Sequence, residues 1–256
     1  MYGAIIGDIA GSIYEYDQFN NIHPIVVDNI IPDEGFYSDD SVLTMAILDA
    51  ILNDKDYEKY LRKYAKEFID YKPKYEPFFN CAFGHGFMKW LESNERGVSK
   101  GNGAMMRISP VGYMFDTIEE VKENVKAATI PSHDNPESIA CAEIIALLIF
   151  YFRNGYSKEE AFKLLNIDSL NYIPFQKFNS TCGETINNCL YAIYKTNSFE
   201  EAIKTVLSYG GDTDTNACIV GSVCEALYGI DQKYIDEVNK RIPDCFKMLL
   251  EKGYKK

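Results

Sequence analysis

Histidine, tryptophan and paired cysteines are scarce in this chain, and each scarcity removes a class of function. There are three histidines and one tryptophan in 256 residues, and none of the seven cysteines forms a CxxC pair. No zinc-type ligand spacing is present, and an odd number of cysteines in mostly apolar, helix-like surroundings predicts reduced core residues, not a disulfide framework. Cations are also short: 26 Lys and Arg face 38 Asp and Glu, a formal net charge of -12. That balance disfavours a nucleic-acid backbone as partner, since such binding draws on Lys and Arg patches that release counterions. The longest apolar run, Ile144 to Phe152, is too short to span a bilayer. No basic, apolar leader opens the chain, so the expected location is the cytoplasm. No Pro, Gly and Ser-rich linker divides the chain, and with 46% hydrophobic residues it reads as one globular domain with a large core, expected to be a monomer.

What is present is acidic and clustered. The stretch GGDTDTNACIVGSVCEALYG, Gly210 to Gly229, opens on Asp212, Asp214 and Thr215 and continues as a helix with Ala217, Val220, Gly221, Cys224, Leu227 and Tyr228 on its packed face. A single acid at a helix start is an ordinary cap. Two acids with a hydroxyl are a compact set of hard oxygen donors of the kind Mg²⁺, Mn²⁺ or Ca²⁺ prefers. A second cluster, Tyr37-Ser38-Asp39-Asp40-Ser41, stands just before a helix with Leu43, Ala46, Ile47, Ala50 and Ile51 on one face. Ser38 or Ser41 can cap that helix, but capping explains only one of the adjacent aspartates. The first segment, GAIIGDIAGSIYE, sets Gly3, Gly7 and Gly11 on one helical row and Asp8, Ser12 and Glu15 on another. One row predicts close helix contact, and the other is a polar edge in need of partners.

Between these clusters, residues 20–37 read as a loop with a short extended piece at Pro24 to Val27. Helices are predicted at Tyr57 to Tyr71, Ala82 to Leu91, Ile118 to Ala128, Pro136 to Arg153, Lys158 to Leu165, Cys182 to Lys195, Phe199 to Ser208 and Pro243 to Lys252. GVSKGNGAMMRISPVG, Gly97 to Gly112, joins a glycine-rich loop to a short helix expected to end near Pro110. Backbone amides of such a loop can hold phosphate, and Lys100 and Arg107 supply local positive charge. Ser132-His133-Asp134 precedes the long helix from Pro136, a setting in which a histidine is ordinarily a surface or capping residue. The expected fold is all-α, of a dozen or so helices, without repeats.

Four ordered motifs, GDIAGSIYE, YSDDS, GNGAMMR and GGDTDT, together resemble the ADP-ribosylglycohydrolase family over nearly the whole chain, Gly3 to about Gly229. The resemblance implies a compact, orthogonal all-α fold with a dinuclear Mg²⁺ or Mn²⁺ site, and a substrate that is an ADP-ribosylated protein or an ADP-ribose-containing small molecule. Carried over by motif, Ser38, Asp39, Asp40, Asp212, Asp214 and Thr215 are the implied metal ligands, Ser38 standing where the family commonly has Thr. Glu15, with Asp40, is the implied catalytic carboxylate, and Asp8 supports the site. Ser99, Gly101, Asn102, Gly103 and His133 match the diphosphate-binding residues, with Arg107 beside them; Lys100 stands where some relatives carry an aromatic. Leaving-group selectivity is expected from loops such as Lys72 to Phe87. Two other readings remain: a dimetal hydrolase of another N-glycoside or of a phosphate ester, which the order of all four motifs disfavours, and a catalytically silent crystallin-like relative, which would have no chemical need of every acid.

Overall fold

The computed structural model describes residues 1–71, 83–167 and 177–255; the predicted helix start at Ala82 and most of the Lys72–Phe87 loop lie outside them. The described residues form fifteen helices and no strand, with two isolated bridges, Val98 to His133 and Gly101 to Thr181. In chain order the first half comprises α1 (Tyr2–Gly11), α2 (Glu15–Asn20), α3 (Asp39–Leu52), α4 (Tyr57–Glu67), α5 (His85–Glu92), α6 (Gly103–Met106), α7 (Ser109–Met114) and α8 (Ile118–His133). The second comprises α9 (Pro136–Arg153), α10 (Lys158–Leu164), α11 (Cys182–Lys195), α12 (Phe199–Leu207), α13 (Thr213–Tyr228), α14 (Gln232–Asn239) and α15 (Asp244–Tyr254).

α13 is the central element, flanked by α1, α9, α11 and α12, and every residue from Thr213 to Cys224 is buried. Its closest neighbour is α1, and the glycine row explains why. A Cβ added at Gly7 would stand 2.0 Å from the Ala217 carbonyl oxygen, so the two helices touch backbone to backbone. The same row continues through Gly3 and Gly11, whose absent Cβ positions fall on Gly221 and on Thr213 and Asp214. Thr213 Oγ1 adds a bond to the Gly11 carbonyl at 2.8 Å. The crossing therefore fixes the end of α1 against the start of α13.

Local chemistry accounts for most boundaries. Ser38 caps α3 through the Asp40 amide, 3.3 Å; Thr117 with Glu120 and Ser157 with Glu160 make capping boxes for α8 and α10. Three expectations need correction. The GDIAGSIYE segment is not one helix: α1 closes at Gly11, Ser12 turns back to the Asp8 carbonyl at 3.0 Å, and Glu15 opens α2, so its place owes nothing to the Asp8 row. Pro110 does not end a helix but sits in the first turn of α7, where its missing N–H and fixed φ cost nothing. α8 runs on through Pro131 to His133, so that histidine is in a last turn and buried, not a cap before α9. α14 was not anticipated, and residues 21–27 contain no strand.

Candidate metal centre and adjoining cleft

The acidic residues converge at the junction of α1, α2, α3 and α13. Asp8, fully buried on α1, accepts at Oδ2 from the Ser38 amide (2.9 Å), the Ser41 amide (3.1 Å) and the Ser41 hydroxyl. It thereby ties α1 to the start of α3. Asp40 Oδ2 accepts from Ser38 Oγ and Thr215 Oγ1, each at 3.3 Å. Asp212 Oδ2 accepts from Asn102 Nδ2 at 2.7 Å, and Asp214 Oδ1 from the Thr215 amide at 2.8 Å. Gly210 and Gly211, at φ +67° and +84°, make the turn into α13 with a backbone that only glycine adopts at little cost. Buried Gln18 holds that turn, its Oε1 accepting from the Gly211 amide at 3.1 Å.

Two trios of carboxylates result, each with oxygens mutually within 4.8 Å: Asp8, Asp40 and Asp214, and Glu15, Asp212 and Asp214. Asp214 belongs to both. Asp39 lies outside the trios, though it lines the same cavity, as do Ser38 and Thr215. Asp8 Oδ1 and Asp40 Oδ1 are buried without a hydrogen-bond partner among the described residues, a costly state for a carboxylate unless a cation completes it. Burial and mutual repulsion push every acid here upward. Burial and then Asp214 raise Asp8 to about 7. The same two causes lift Glu15, Asp39 and Asp40 well above their ordinary values. Asp214 is raised well up by burial and by Asp212, whereas Asp212 is raised less, held by Asp214 and Asn102. Hard oxygens that repel one another in a buried setting, two of them without a partner among the described residues, fit a divalent cation of the Mg²⁺ or Mn²⁺ type.

Glu15, Asp39, Asp40, Asp212 and Asp214 line a cavity of about 550 Å³. Ser99, Gly101, Asn102, Gly103, Arg107 and His133 line it as well. The glycine loop is held by its own bonds: the Gly101 amide donates to Ser99 Oγ at 3.0 Å and the Asn102 amide to the Ser180 carbonyl at 2.9 Å. Asn102 Nδ2, besides gripping Asp212, reaches the Asn179 carbonyl and Thr185 Oγ1, so this residue couples the loop to the acids. Arg107 is 1% exposed and gives Nη2 to Ser132 Oγ (2.7 Å) and the Ala128 carbonyl (3.3 Å), while Nε and Nη1 have no partner among the described residues. Burial lowers it to about 10, which leaves it charged at neutral pH. His133, 5% exposed, is held well below the usual imidazole range by burial and by Arg107, and is neutral. Lys100 is exposed and absent from the lining residues described.

Aromatic rings complete the cleft, and no sequence motif announced them. Phe19, 53% exposed, stacks on Phe178 with ring centroids 4.1 Å apart, and Phe36, Phe83, Phe87 and Trp90 line the wall as well. Gln18, Asn179, Thr185 and Ser132 likewise escaped sequence reasoning as site residues, because each acts by specific hydrogen bonds that leave no periodic trace.

Helices closed around a buried polycarboxylate cluster with a glycine loop beside it define an all-α protein whose clustered acids could hold a metal ion. The family profile described as ADP-ribosylglycohydrolase matches residues 1–251, and the chain belongs to that family. A protein of Acanthamoeba polyphaga mimivirus named as an ADP-ribosyl glycohydrolase is 25% identical, the match covering 93% of this chain and 89% of that one. The mouse ADP-ribosylhydrolase ARH3 is 20% identical over 91% of this chain and 83% of its own. The ADP-ribosyl-[dinitrogen reductase] glycohydrolase of Rhodospirillum rubrum is 25% identical over 51% and 47%. A solved structure titled "ADP-ribosylglycohydrolase-related protein complex" superposes with a TM-score of 0.75 at 17% identity, covering 99% of this chain and 94% of that one, and shows the shared fold. The family is one of hydrolases acting on ADP-ribose glycosyl bonds. No helix among the described residues is long and apolar enough to cross a membrane.

Proposed function

We propose that this protein hydrolyses the bond between C1″ of an ADP-ribosyl group and an acceptor atom of a protein side chain or small molecule, with two Mg²⁺ or Mn²⁺ ions as cofactors. The observation that carries the reading is the pair of buried carboxylate trios sharing Asp214. Asp8, Asp40 and Asp214 would hold one ion and Glu15, Asp212 and Asp214 the other, with Asp39, Ser38 and Thr215 at hand on the cavity wall. Bound there, such ions supply Lewis acidity and orientation for water and ribose hydroxyls.

The chain's own groups do the rest. Glu15, at the head of α2 beside Asp212 and Asp214, is the carboxyl assigned to proton transfer. In the balanced reaction the C1″–acceptor bond breaks, the oxygen of water bonds to C1″, one proton goes to the acceptor and one stays on the new hydroxyl. Glu15 is the group that hands the proton over, and the surrounding carboxylates favour the oxocarbenium-like charge that develops on the ribose. The Ser99–Gly103 loop with His133 would seat the diphosphate, so that binding far from C1″ orients the reacting bond.

Release of ADP-ribose from ADP-ribosyl-arginine, ADP-ribosyl-serine and ADP-ribose 1″-phosphate, followed chromatographically with Mg²⁺, Mn²⁺ or chelator, tests this reading. Metal-dependent cleavage of at least one substrate is the expected result. No release from any of them with either metal would overturn it.

A further inference from the structure

The diphosphate end of the cleft contains a chain of three side chains whose hydrogen-bond roles can be counted. Arg107 Nη2 donates to Ser132 Oγ at 2.7 Å, and Ser132 Oγ lies 2.8 Å from His133 Nδ1. A guanidinium only donates, so the serine oxygen must accept there. A serine hydroxyl also has one proton to give. If His133 Nδ1 carried a proton, Ser132 Oγ would accept twice and its own proton would be buried without an acceptor, since none other occurs among the described residues. A stranded buried donor costs more than a made bond returns. With Nδ1 as acceptor the Ser132 hydroxyl accepts from Arg107 and donates to His133, and the ring proton of the neutral imidazole falls on Nε2.

Nε2 is the nitrogen turned to the glycine loop. A Cβ built on Gly103 would stand 3.5 Å from it and one on Gly101 3.7 Å, so the ring packs on the space those glycines leave open. Two of the loop's amides are already engaged, Gly101 with Ser99 and Asn102 with Ser180. A side-chain donor beside the loop therefore has weight for an anion seated there. The backbone holds the ring in place: the Ser99 amide donates to the Ser132 carbonyl at 3.2 Å, and Val98 bridges to His133.

We infer that Arg107 and Ser132 form a relay that locks His133 as the Nε2–H tautomer, aimed as a neutral donor at the diphosphate, and that Arg107 is a positioning residue acting through Ser132. The ligand in this statement rests on the proposed function; the tautomer does not. The nitrogen shifts of ¹⁵N-labelled histidine, in a protein with three histidines, read the tautomer directly in the absence of any ligand, and calorimetry with free ADP-ribose as the probe reads binding. The parent should show a protonated Nε2 and an unprotonated Nδ1. Ser132→Ala should give a mixture of tautomers and weaken ADP-ribose binding by roughly five- to tenfold, the scale of one hydrogen bond, while Ser132→Thr, which keeps the hydroxyl, restores both. Arg107→Gln keeps a donor and should hold the tautomer. A protonated Nδ1 in the parent, or an unchanged tautomer in Ser132→Ala, overturns the relay. Weaker binding in Arg107→Gln with the tautomer unmoved means that Arg107 contacts the ligand itself, and also overturns it. Failure of the parent to bind ADP-ribose, with the tautomer as stated, leaves the relay standing and counts against the diphosphate reading alone.

Discussion

The two sets of residues around the cleft bury charge in opposite ways. Beside the glycine loop one guanidinium, the one permanent cation among the lining residues described, gives to neutral acceptors, with a serine and a neutral histidine completing the set. In the acidic set, six carboxylates line or adjoin one space. The first set is preorganised by the chain alone. The second is assembled in a form that repels itself, and the chain tolerates it because the α1–α13 crossing forces the acids together. Under the proposed function a bound cation offsets that repulsion.

The sharpest way to break the contrast is Asp214→Asn. Asp214 belongs to both trios and is the largest electrostatic influence, after burial, on Asp8, Glu15, Asp39 and Asp40. The variant should lose hydrolysis to background. It should also lose the metal-induced rise in stability, which for a site at a hundredfold excess of ligand over Kd is about 2.7 kcal/mol. In chelator it should melt no lower than the parent, because one repulsive charge is gone. Melting curves with EDTA and with Mg²⁺, beside a turnover assay, check all three. Retained activity in Asp214→Asn, with an unchanged metal response, would make this end of α13 merely structural.

Glu15→Gln separates chemistry from metal retention. The amide keeps an oxygen donor, and the Asp8–Asp40–Asp214 trio is untouched. Metal-dependent stabilisation should therefore persist in large part while kcat falls by roughly a hundredfold or more, the range for losing an acid or base. Equal turnover in variant and parent would remove Glu15 from the mechanism.

Gly7→Ala asks whether the helix crossing sets the site. Alanine is favoured over glycine in a helix by about 1 kcal/mol, yet here its Cβ would meet the Ala217 carbonyl at 2.0 Å. Backbone cannot rotate aside, so overpacking of roughly 1–3 kcal/mol or more should win. The expected result is a lower melting temperature together with weaker metal binding, as Asp8 moves away from Asp214. A destabilised variant with full metal affinity would show that the acids are placed by α3 and α13 alone.

How much of this was legible in the sequence follows from how local each signal is. Long helices with apolar faces, such as α9 and α12, announce themselves by period and by caps such as Ser198. The two acidic clusters could be seen because two carboxylates exceed what a cap requires. Their division into trios could not, since it depends on α1 meeting α13 edge to edge and on Glu15 arriving from a second helix. Asp8 read as a supporting residue and stands instead within a trio, with an unpartnered oxygen. Pro110 and His133 were misplaced through prolines: Pro110 sits in the first turn of α7 and Pro131 lies inside α8, and only the tertiary chain decides whether a proline stops a helix, starts one or is carried within it. Gln18, Ser132 and Phe178 had no signal, because single long-range contacts leave no spacing.

The most general expected effect is a slope in stability with pH. Asp8 has an ordinary value of 3.8 and is pushed to about 7 by burial and Asp214, and Glu15, Asp39, Asp40 and Asp214 move in the same direction. Between the unfolded and folded values the native state binds more protons than the unfolded chain, so stability falls as pH rises through that window. Each unit of elevation is worth about 1.4 kcal/mol, and a domain of this size shifts its Tm by roughly 2–4 °C per kcal/mol. In chelator the melting temperature should thus decline from about pH 4 to about pH 7 through Asp8, the opposite of the usual carboxylate case. With Mg²⁺ the decline should shrink, because binding requires the deprotonated acids and strengthens as pH rises. General repulsion in a chain of net charge -12 would tilt the curve the same way, and Asp214→Asn distinguishes the two. It alters the total by one charge but removes the shared acid, so a flattened chelator curve in that variant assigns the slope to the cluster. An unchanged slope would assign it to the surface, and the acids would then be far less strained in the native protein than their burial requires.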